Sequence, residues 1–544
     1  MKIDDLIKQS QSLQAGRSNF ENEWQKVADI FRPVRSNITT VRSEGDKSHI
    51  HRLFDSYPIN ALNTLKSIII GVFFNRSIQP ITIISDSEEV NDDQEASEWL
   101  TDFTEYLLKE MFNPKTGFER ALSEAVSDDI AFGTFATFIE RGLNSTLKYH
   151  TLHINNFLIA ESKDGDVDYV IMKSKKTTRQ ILQEWGENGN IHENILKTAE
   201  KEPFKEWNFE LHIMPRKERD EKKIDKLNKK IAGYWIDVDN KRIVEETGWD
   251  SMPVAVGRSE KASNELYGTS RAMMAMASAY QSNEMWRQLN EATELALRPP
   301  LNVNANYAKR INLKAGALNY PELKAGNTRA AIEPINVVGS IAANKDLILE
   351  LKQTINDIFF IDKLKIFDNP NATATQVLEL RAEGFRIMGD FVTGLIEYMD
   401  AILQRSFDLL FNANYDENGN LFPDAKFKKP LPKLLLQNPD LKIEYINPIA
   451  QSQKLNESST IDKWLQDIAN IAQFKPEALD LLNVDEVIRN KRQIFNIDPE
   501  LINSKAKVEE TRQQRAQQQQ QQMELMQEEQ AVNIASQAKK SNLI

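Results

Sequence analysis

The stretch Tyr267–Phe411 most constrains the fold because it joins long helical patterns to one irregular insert. Its first part, YGTSRAMMAMASAYQSNEMWRQLNEATELAL, has the spacing of an amphipathic helix. One apolar stripe of that helix is formed by Met273, Met276, Ala277 and Tyr280. Two consecutive prolines, Pro299 and Pro300, predict where the helix stops, since proline cannot continue it.

The second part of the same stretch predicts an insert, a further helix and then a very long one. Residues 301–336 mix short alternating pieces with glycine and proline, which predicts a small strand-and-turn module. Helical spacing then returns with Ile348, Leu351, Ile355 and Ile358. The last helix opens on the capping-box sequence Thr373-Ala-Thr-Gln376 and runs to about Phe411. Its expected kink sites are Gly384, Gly389 and Gly394.

Before this stretch, helical patterns give way to alternating ones. The predicted helices are 1–32, Tyr57–Phe74, Glu95–Met111, Phe118–Ala131 and Thr177–Trp185, with Trp99, Phe103 and Leu107 on an inward stripe. After Gly133 the alternation predicts a small antiparallel sheet with a hairpin at Asp164-Gly165. Beyond residue 415 the sequence predicts a turn at Asp416–Gly419, a strand at Leu441–Ile446 and helices within 453–494. The fold class is mainly α with an α+β portion.

Composition excludes several kinds of protein. A chain of 544 residues is too long for one ordinary core. Its 68 Lys+Arg against 80 Asp+Glu give a net charge of −12, which disfavours a role in coating DNA. The absence of cysteine excludes disulfides, thiolate zinc sites and cysteine nucleophiles. The start MKIDDLIKQSQSLQ lacks the pattern of a signal peptide, and no apolar run approaches the roughly 18 residues that span a bilayer, so a soluble protein without a membrane partner is expected.

The motif search gives no catalytic residue, metal site or cofactor site, and we predict that the protein is not an enzyme. A phosphate-binding GxxxxGK[ST] loop is absent, and Gly45-Asp-Lys47-Ser48 matches only its end. Both close histidine pairs are interpreted as surface residues: His49/His51 has no third ligand nearby, and His150/His153 lies in an alternating stretch where a spacing of three points the side chains to opposite faces.

Two groups of carboxylates have simpler structural interpretations. Asp164, Asp166 and Asp168 alternate along the chain but lack the distal glutamate of a calcium loop, so a hairpin turn is favoured. Glu379 and Glu383 lie four residues apart on a predicted helix, which is typical of a solvated or interface face rather than of an acid/base pair.

Five segments, in a fixed order along residues 5–505, carry a family resemblance. They are the opening helix with Trp24 and Pro33, FDSYPINALNTLKSIIIGVFFNRSIQPI, YHTLHINNFLIAESKDGDVDYVIMKSKKTTRQILQEWG, YGTSRAMMAMASAYQSNEM with RPPLNV, and TATQVLELRAEGFRIMGDFVTGLIEYMDAILQRSFDLL. Together they resemble the portal (head-to-tail connector) proteins of short-tailed, T7-like bacteriophages. The chain departs from that family at Ile81-Thr-Ile83, where a tryptophan is usual, and in its glutamine-rich C-terminal tail.

The resemblance implies a portal fold in a ring of about twelve subunits. Its implied divisions are 1–267, an N-terminal wing of helices and then antiparallel strands; 268–297, a stem helix; 298–342, the clip; 343–361, a second stem helix; 362–373, the channel loop; 374–452, a long kinked helix that returns to the wing; 453–504, a helical crown; and 505–544, a tail that is either a helical barrel or disordered.

The resemblance also implies a function, partners and site residues. The ring would occupy the portal vertex of the virion after assembly in the bacterial host cytoplasm, and double-stranded genomic DNA would be packaged and ejected through it. Its further partners would be terminase, the tail adaptor, and the major capsid and scaffolding proteins. The channel-loop candidates are Lys363, Lys365, Asn369 and Asn371, where the lysines either touch phosphates or only solvate a connection. The clip-docking candidates are Arg298, Lys309, Arg310 and Lys314.

Two other classes of protein remain open from the residues alone. A helical virion scaffold or adaptor without a channel would share the helices but would not need this order of helix, insert, helix, loop and long helix. An enzyme acting on DNA, such as a terminase or nuclease, would need a nucleotide-binding loop or clustered metal carboxylates.

Overall fold

A computed structural model describes residues 2–40, 46, 48–73, 81–85, 87–142, 145–186, 190–220, 223, 225–298, 301–303, 332–334, 341–364, 374–416, 419–437, 441–445, 448–475, 477, 482–495, 507–508 and 511–523. Helices dominate this part of the chain: α1 (Ile3–Phe31), α2 (Tyr57–Phe73), α3 (Glu88–Asp92), α4 (Gln94–Met111), α5 (Phe118–Phe132), α6 (Thr178–Trp185), α7 (Glu193–Ala199), α8 (Arg271–Met274), α9 (Met276–Leu297), α10 (Ile341–Ile358), α11 (Ile361–Leu364), α12 (Ala374–Asn414), α13 (Lys433–Gln437), α14 (Pro448–Ala472) and α15 (Val484–Phe495).

The strands pair antiparallel throughout. They are β1 (Ile81–Ser85), β2 (Thr134–Glu140), β3 (Lys148–Leu152), β4 (Phe157–Glu161), β5 (Val167–Thr177), β6 (Glu206–Pro215), β7 (Ile231–Asp237), β8 (Arg242–Trp249), β9 (Val254–Arg258), β10 (Leu301–Val303), β11 (Ile332–Pro334) and β12 (Leu441–Tyr445). The sheet orders are β4-β5-β6-β7-β8, β3-β2-β9, β1-β12 and β10-β11. The predicted class, mainly helical with antiparallel sheet, is confirmed at this level.

The chain divides into two compact units, one of residues Met1–Pro80 and Met111–Leu409, the other of Ile81–Glu110 and Leu410–Ile544. In the first unit the five-stranded sheet is covered on both faces. Leu6 of α1 packs on Ala232, Tyr234 and Ile236 of β7. On the other face, Ile181 of α6 and Ile195 of α7 pack on Trp207 and Phe209 of β6. Successive strand residues point to opposite faces, which explains why even positions of β7 meet α1 while odd positions of β6 meet α6 and α7.

Local signals explain several element ends. Thr177 caps α6 through a complete capping box with Gln180. The predicted hairpin at Asp164-Gly165 is confirmed, because the Ser162 N–H donates to Asp166 O at 2.8 Å and closes the turn between β4 and β5. The turn at Asp416–Gly419 is also confirmed, since the Gly419 N–H donates to Asp416 O at 3.0 Å.

The sequence prediction needs correction in the strand region. The single small sheet that it gave is in fact two sheets, and β9 and β1 were not foreseen. The prediction was wrong because alternation identifies a strand but not its partner, and partners here lie far apart in the chain: Thr134 of β2 pairs with Arg258 of β9, and Ile81 of β1 with Tyr445 of β12. Within the described part of the chain, none of the helices is long and apolar enough to cross a lipid bilayer.

Candidate channel and docking segment

Helix α9, the first helix of the constraining stretch, is fixed to the start of α2 by a buried polar contact. Asp55 is 5% exposed and accepts from the Tyr57 N–H at 2.9 Å, which caps α2. The other carboxylate oxygen of Asp55 accepts from Ser282 Oγ of α9 at 2.5 Å. Next to it, Asn283 Oδ1 accepts from the backbone N–H groups of Phe54 and Asp55 at 2.7 and 3.1 Å. These contacts give Asp55 a structural role, since it joins α9 to the start of α2.

Helix α10 packs against α9 and α2, and its Lys352 side chain lies between an aromatic ring of each of those helices. Lys352 Nζ is 5.1 Å from the ring centroid of Tyr57 and 5.2 Å from that of Trp286. The Tyr57 hydroxyl donates to Asn356 Oδ1 of α10 at 2.5 Å. The predicted apolar spacing of α10 is confirmed, because Ile348, Leu351 and Ile355 are buried. The helices α2, α9 and α10 therefore form one packed group.

The apolar stripe predicted from the sequence is only partly covered by the chain itself: Met276 of α9 and Met273, which lies in α8, are half-buried. Ala277 is exposed and Tyr280 is 62% exposed. The face of α9 that the chain buries is instead made of small residues and one leucine: Ala279, Ser282 and Leu289. Leu349 of α10 is likewise 64% exposed. Large apolar side chains on a face of this kind indicate a surface that another protein covers.

The outward face of α10 is acidic. Asp346, Glu350 and Asp357 are exposed and recur at helical spacing, with Gln353 between them. Gln353 Nε2 donates to Asp362 Oδ2 at 2.7 Å, which ties this face to the start of α11. A helix with this face beside DNA would repel phosphates rather than bind them.

The chain turns sharply between α10 and α11 at Phe360, whose φ is 56°. Arg271 of α8 covers the Phe360 ring at 4.4 Å, and Phe31 of α1 stacks on Phe359 with centroids 5.8 Å apart. The predicted channel loop 362–373 is therefore helical at its start, because 362–364 belong to α11. Lys363 lies there with an exposed side chain, its Nζ 5.8 Å from the Phe360 ring.

The long helix α12 is kinked at Gly389, where φ is 35° and ψ is −113°. Of the three predicted kink sites, Gly389 is confirmed, while Gly384 and Gly394 keep helical angles. Gly394 has another role: a Cβ there would lie 2.4 Å from Arg258 O, so only glycine lets α12 lie directly against the end of β9. Further along, Tyr398 Oη and Thr137 Oγ1 of β2 are 2.6 Å apart. The part of α12 after the kink is thus anchored on the three-stranded sheet.

A buried charged cluster lies where α1, α5, β9 and α12 meet. Asp128 of α5 forms an ion pair with Arg32 at the end of α1. Its neighbour Asp129 accepts from Ser259 Oγ at 2.5 Å, and Ser259 Oγ is also 3.3 Å from Phe391 O of α12. Burial raises the pKa of Asp129 well above its ordinary value of 3.8. The two adjacent carboxyl groups therefore differ: Asp128 is paired with a cation, while burial raises the pKa of Asp129.

We expect Asp129→Asn to increase stability at neutral and alkaline pH. Because the folded pKa of Asp129 is raised, the folded chain binds more protons than the unfolded chain above pH 3.8, and stability falls as pH rises through that folded pKa. The neutral amide removes this dependence, and at pH 8 the gain should be roughly 1–3 kcal/mol. Denaturant unfolding followed by circular dichroism at pH 5 and pH 8 measures it.

The matched control is Asp128→Asn on the same turn of α5. It leaves the largely buried Arg32 without its carboxylate, which should cost roughly 3–5 kcal/mol at both pH values. If Asp129→Asn destabilised the protein as much as Asp128→Asn does, the inference that the fold raises the pKa of Asp129 would be wrong.

Of the predicted site residues, two lie in the described part of the chain. Lys363 is exposed on α11, and Arg298 is exposed as the residue that ends α9. The strands β10 and β11 pair at the two ends of the predicted clip, with Leu301 opposite Pro334. The other candidates lie outside the described residues: Lys365, Asn369, Asn371, Lys309, Arg310 and Lys314.

The sequence prediction for the histidines was wrong at His153, and it did not consider His212. His153 is not a free surface residue: its Nδ1 accepts from the Asn155 N–H and its Nε2 lies 3.2 Å from Arg35 O, and burial lowers its pKa below 6.5. His212 was missed because it stands alone in a strand; it is fully buried, with Nδ1 2.7 Å from Tyr169 Oη. Among the described residues no group of three His, Cys, Asp or Glu side chains could hold a metal ion.

Comparison with known proteins identifies the class to which this chain belongs. Residues 4–502 match the model of the family described as bacteriophage head to tail connecting protein. The chain is therefore a member of that family, and the resemblance seen in the sequence is confirmed.

Two relatives have curated names. A "Portal protein" of Salmonella phage epsilon15 is 24% identical over 522 residues, which cover 94% of this chain and 90% of that protein. A "Probable portal protein" of Bordetella phage BPP-1 is 23% identical over 521 residues with the same coverage. Among solved structures, a chain from a "Virion of native gene transfer agent (GTA) particle" covers 66% of this chain and 80% of its own length at 11% identity, with a TM-score of 0.33, too low to define a shared fold.

Proposed function

We propose that this protein is a bacteriophage portal protein, which forms the channel at one capsid vertex for packaging and ejecting genomic DNA. The observation that carries the proposal is the match to the head-to-tail connecting family over residues 4–502 together with named portal proteins that align over 94% of the chain. The protein would act in the virion, and its role is structural rather than catalytic.

The uncovered faces of α9 and α10 support assembly into a ring. Tyr280 and Leu349 are apolar and largely exposed in the single chain, and a head-to-tail ring would cover such faces with the neighbouring subunit. The acidic face of α10 suits a channel wall, because DNA passes most freely where phosphates find few cations to bind. In this arrangement α9 and α10 are the two stem helices, and β10 and β11 begin and end the clip that docks terminase and the tail adaptor.

A mass measurement combined with negative-stain images tests the ring. Twelve copies of a 62.4 kDa chain would have a mass of about 750 kDa, and end-on views would have a central hole. A monomer, or an assembly with no hole, would contradict the proposal and would favour the alternative, a helical virion scaffold or adaptor without a DNA channel.

Within the ring, we expect Lys363→Ala/Lys365→Ala to reduce the number of genome-filled heads by about tenfold, because repetition around the ring would remove many phosphate contacts together. Lys363 is exposed beside the acidic α10 face, where a few cations would guide DNA without holding it. Packaged DNA per purified head is the measurement. The control Lys197→Ala/Lys201→Ala removes two lysines on or just after α7 and should package normally. Wild-type packaging by the Lys363/Lys365 variant would assign both lysines to simple solvation.

A further inference from the structure

The loop between β6 and β7 is strongly basic in an acidic protein. Of the fifteen residues 216–230, eight are lysine or arginine and four are aspartate or glutamate, which gives the segment a charge of +4 within a chain of −12. A surface of this kind is not needed for solubility, because the chain already carries a large net charge of the opposite sign.

Two of these cations hold the loop against the end of β8. Arg216 pairs with Glu246, and its Nη2 and Nε donate to Thr247 O at 3.1 Å and to Lys229 O at 3.2 Å. Lys229 Nζ is 2.8 Å from Asp250 Oδ2. A Cβ at residue 248 would lie 2.2 Å from Lys226 O, so the glycine there lets the loop backbone touch β8. Arg216, Lys226 and Lys229 are therefore held against β8 and the residue that follows it.

The side chains of three other lysines of the loop take no part in these contacts. Lys217, Lys226 and Lys230 are exposed, and none of them has an ion-pair partner among the described residues. Other exposed lysines of the same unit are paired with carboxylates in Lys26–Glu23, Lys175–Glu206 and Lys197–Glu193, whereas Lys8 and Lys201 stand singly and have no ion-pair partner among the described residues. Three exposed lysines without an ion-pair partner among the described residues therefore stand within the fourteen residues 217–230.

We propose that this loop, in addition to the proposed channel loop 362–373, binds the phosphate backbone of double-stranded DNA. Lysine is a flexible point charge that contacts phosphates without reading sequence. A protein partner is disfavoured because residues 216–230 contain no aromatic residue, and the cores of protein interfaces are rich in aromatic residues and poor in lysine. The proposal does not depend on ring formation, since each chain carries its own loop.

Binding to covalently closed circular duplex DNA tests the proposal, because a closed circle cannot thread a closed ring. The variant Lys217→Gln/Lys226→Gln/Lys230→Gln should bind circles at least about tenfold more weakly at 50 mM salt. The slope of log affinity against log salt concentration should become less negative by about 2.7, or about 0.9 for each lost phosphate contact. Mass measurement shows separately whether the variant still assembles like the wild type.

The matched control is Lys8→Gln/Lys109→Gln/Lys201→Gln, which removes the same charge from exposed lysines elsewhere. It should change the affinity for circles by less than about threefold. The slope of log affinity against log salt concentration should change by less than about 0.9, which corresponds to one phosphate contact. The proposal is overturned if wild type does not bind circles, if both triple variants weaken binding equally, or if the loop variant keeps full DNA binding and instead loses association with another protein.

Discussion

Alanine at residue 389 is expected to straighten α12 and to stop the passage of DNA through the ring. The observed angles at Gly389, φ 35° and ψ −113°, are open to glycine but cost any other residue roughly 1–3 kcal/mol. In a straight helix, alanine is more stable than glycine by about 1 kcal/mol. Both effects favour the straight form of α12. Together they shift the equilibrium between the kinked and the straight helix by roughly 30- to 1,000-fold toward the straight one.

The consequence for the channel follows from where α12 is held. After the kink, contacts of Gly394 with Arg258 and of Tyr398 with Thr137 fix the helix to the three-stranded sheet. Straightening must therefore move the part before Gly389, which leads back to the proposed channel loop. Since a ring repeats this displacement in every subunit, we expect genome packaging to be lost while ring assembly persists.

Spin labels can measure the straightening directly, because the chain contains no cysteine and two introduced ones are the only attachment sites. Labels at Glu379→Cys and Glu397→Cys, in doubly labelled subunits diluted among unlabelled ones, should be roughly 27 Å apart in a straight helix and closer in the wild type. The control Gly384→Ala adds the same methyl group where the backbone is already helical, and it should leave both the distance and packaging unchanged. A Gly389→Ala ring with the wild-type distance and normal packaging would show that the kink is not required.

The kink also shows what sequence can and cannot predict. Glycines inside a long helical pattern marked three candidate kink sites, and tertiary contacts decided among them. Gly394 faces the end of β9, whereas no atom lies within 4 Å of the position that a Cβ of Gly389 would take. Helices such as α10 were predictable because their apolar spacing reflects burial in this chain. On α9, apolar residues at helical spacing instead included positions that the chain itself leaves exposed, such as Tyr280.

Contacts between distant segments were beyond sequence reasoning. Asp55 and Ser282 are 227 positions apart, and nothing in the local spacing of either one indicates the other. The family resemblance supplied the order of stem, clip and loop, and it also named Lys363. It gave no indication of the loop 216–230, whose contacts with β8 and the residue after it join segments about twenty to thirty positions apart.

A buried tryptophan lies within an aromatic cluster of the second unit. Trp99 of α4 is 1% exposed, stacks on Phe103 with centroids 4.8 Å apart, and meets Phe427 edge-on at 5.8 Å. Its Nε1 donates to Tyr415 Oη at 3.0 Å, and that hydroxyl donates to Lys429 O at 2.6 Å. Burial raises the pKa of Tyr415 to about 12, so its hydroxyl stays protonated and able to donate. The indole thus joins α4 to the end of α12 and the segment after it by packing and by a two-step hydrogen-bond chain.

We therefore expect Trp99→Ala to destabilise the second unit by roughly 3–5 kcal/mol, because it opens a cavity among aromatic rings that cannot collapse onto it. Hydrogen exchange of the α4 amides should accelerate by roughly 100- to 3,000-fold. Trp99→Phe keeps an aromatic ring and removes the indole N–H, so it should cost less. The control Trp464→Ala removes a tryptophan that is 49% exposed in the same unit and should change α4 exchange by less than about fivefold. If Trp99→Ala changed α4 exchange no more than Trp464→Ala does, the unit would be held by contacts other than this aromatic cluster.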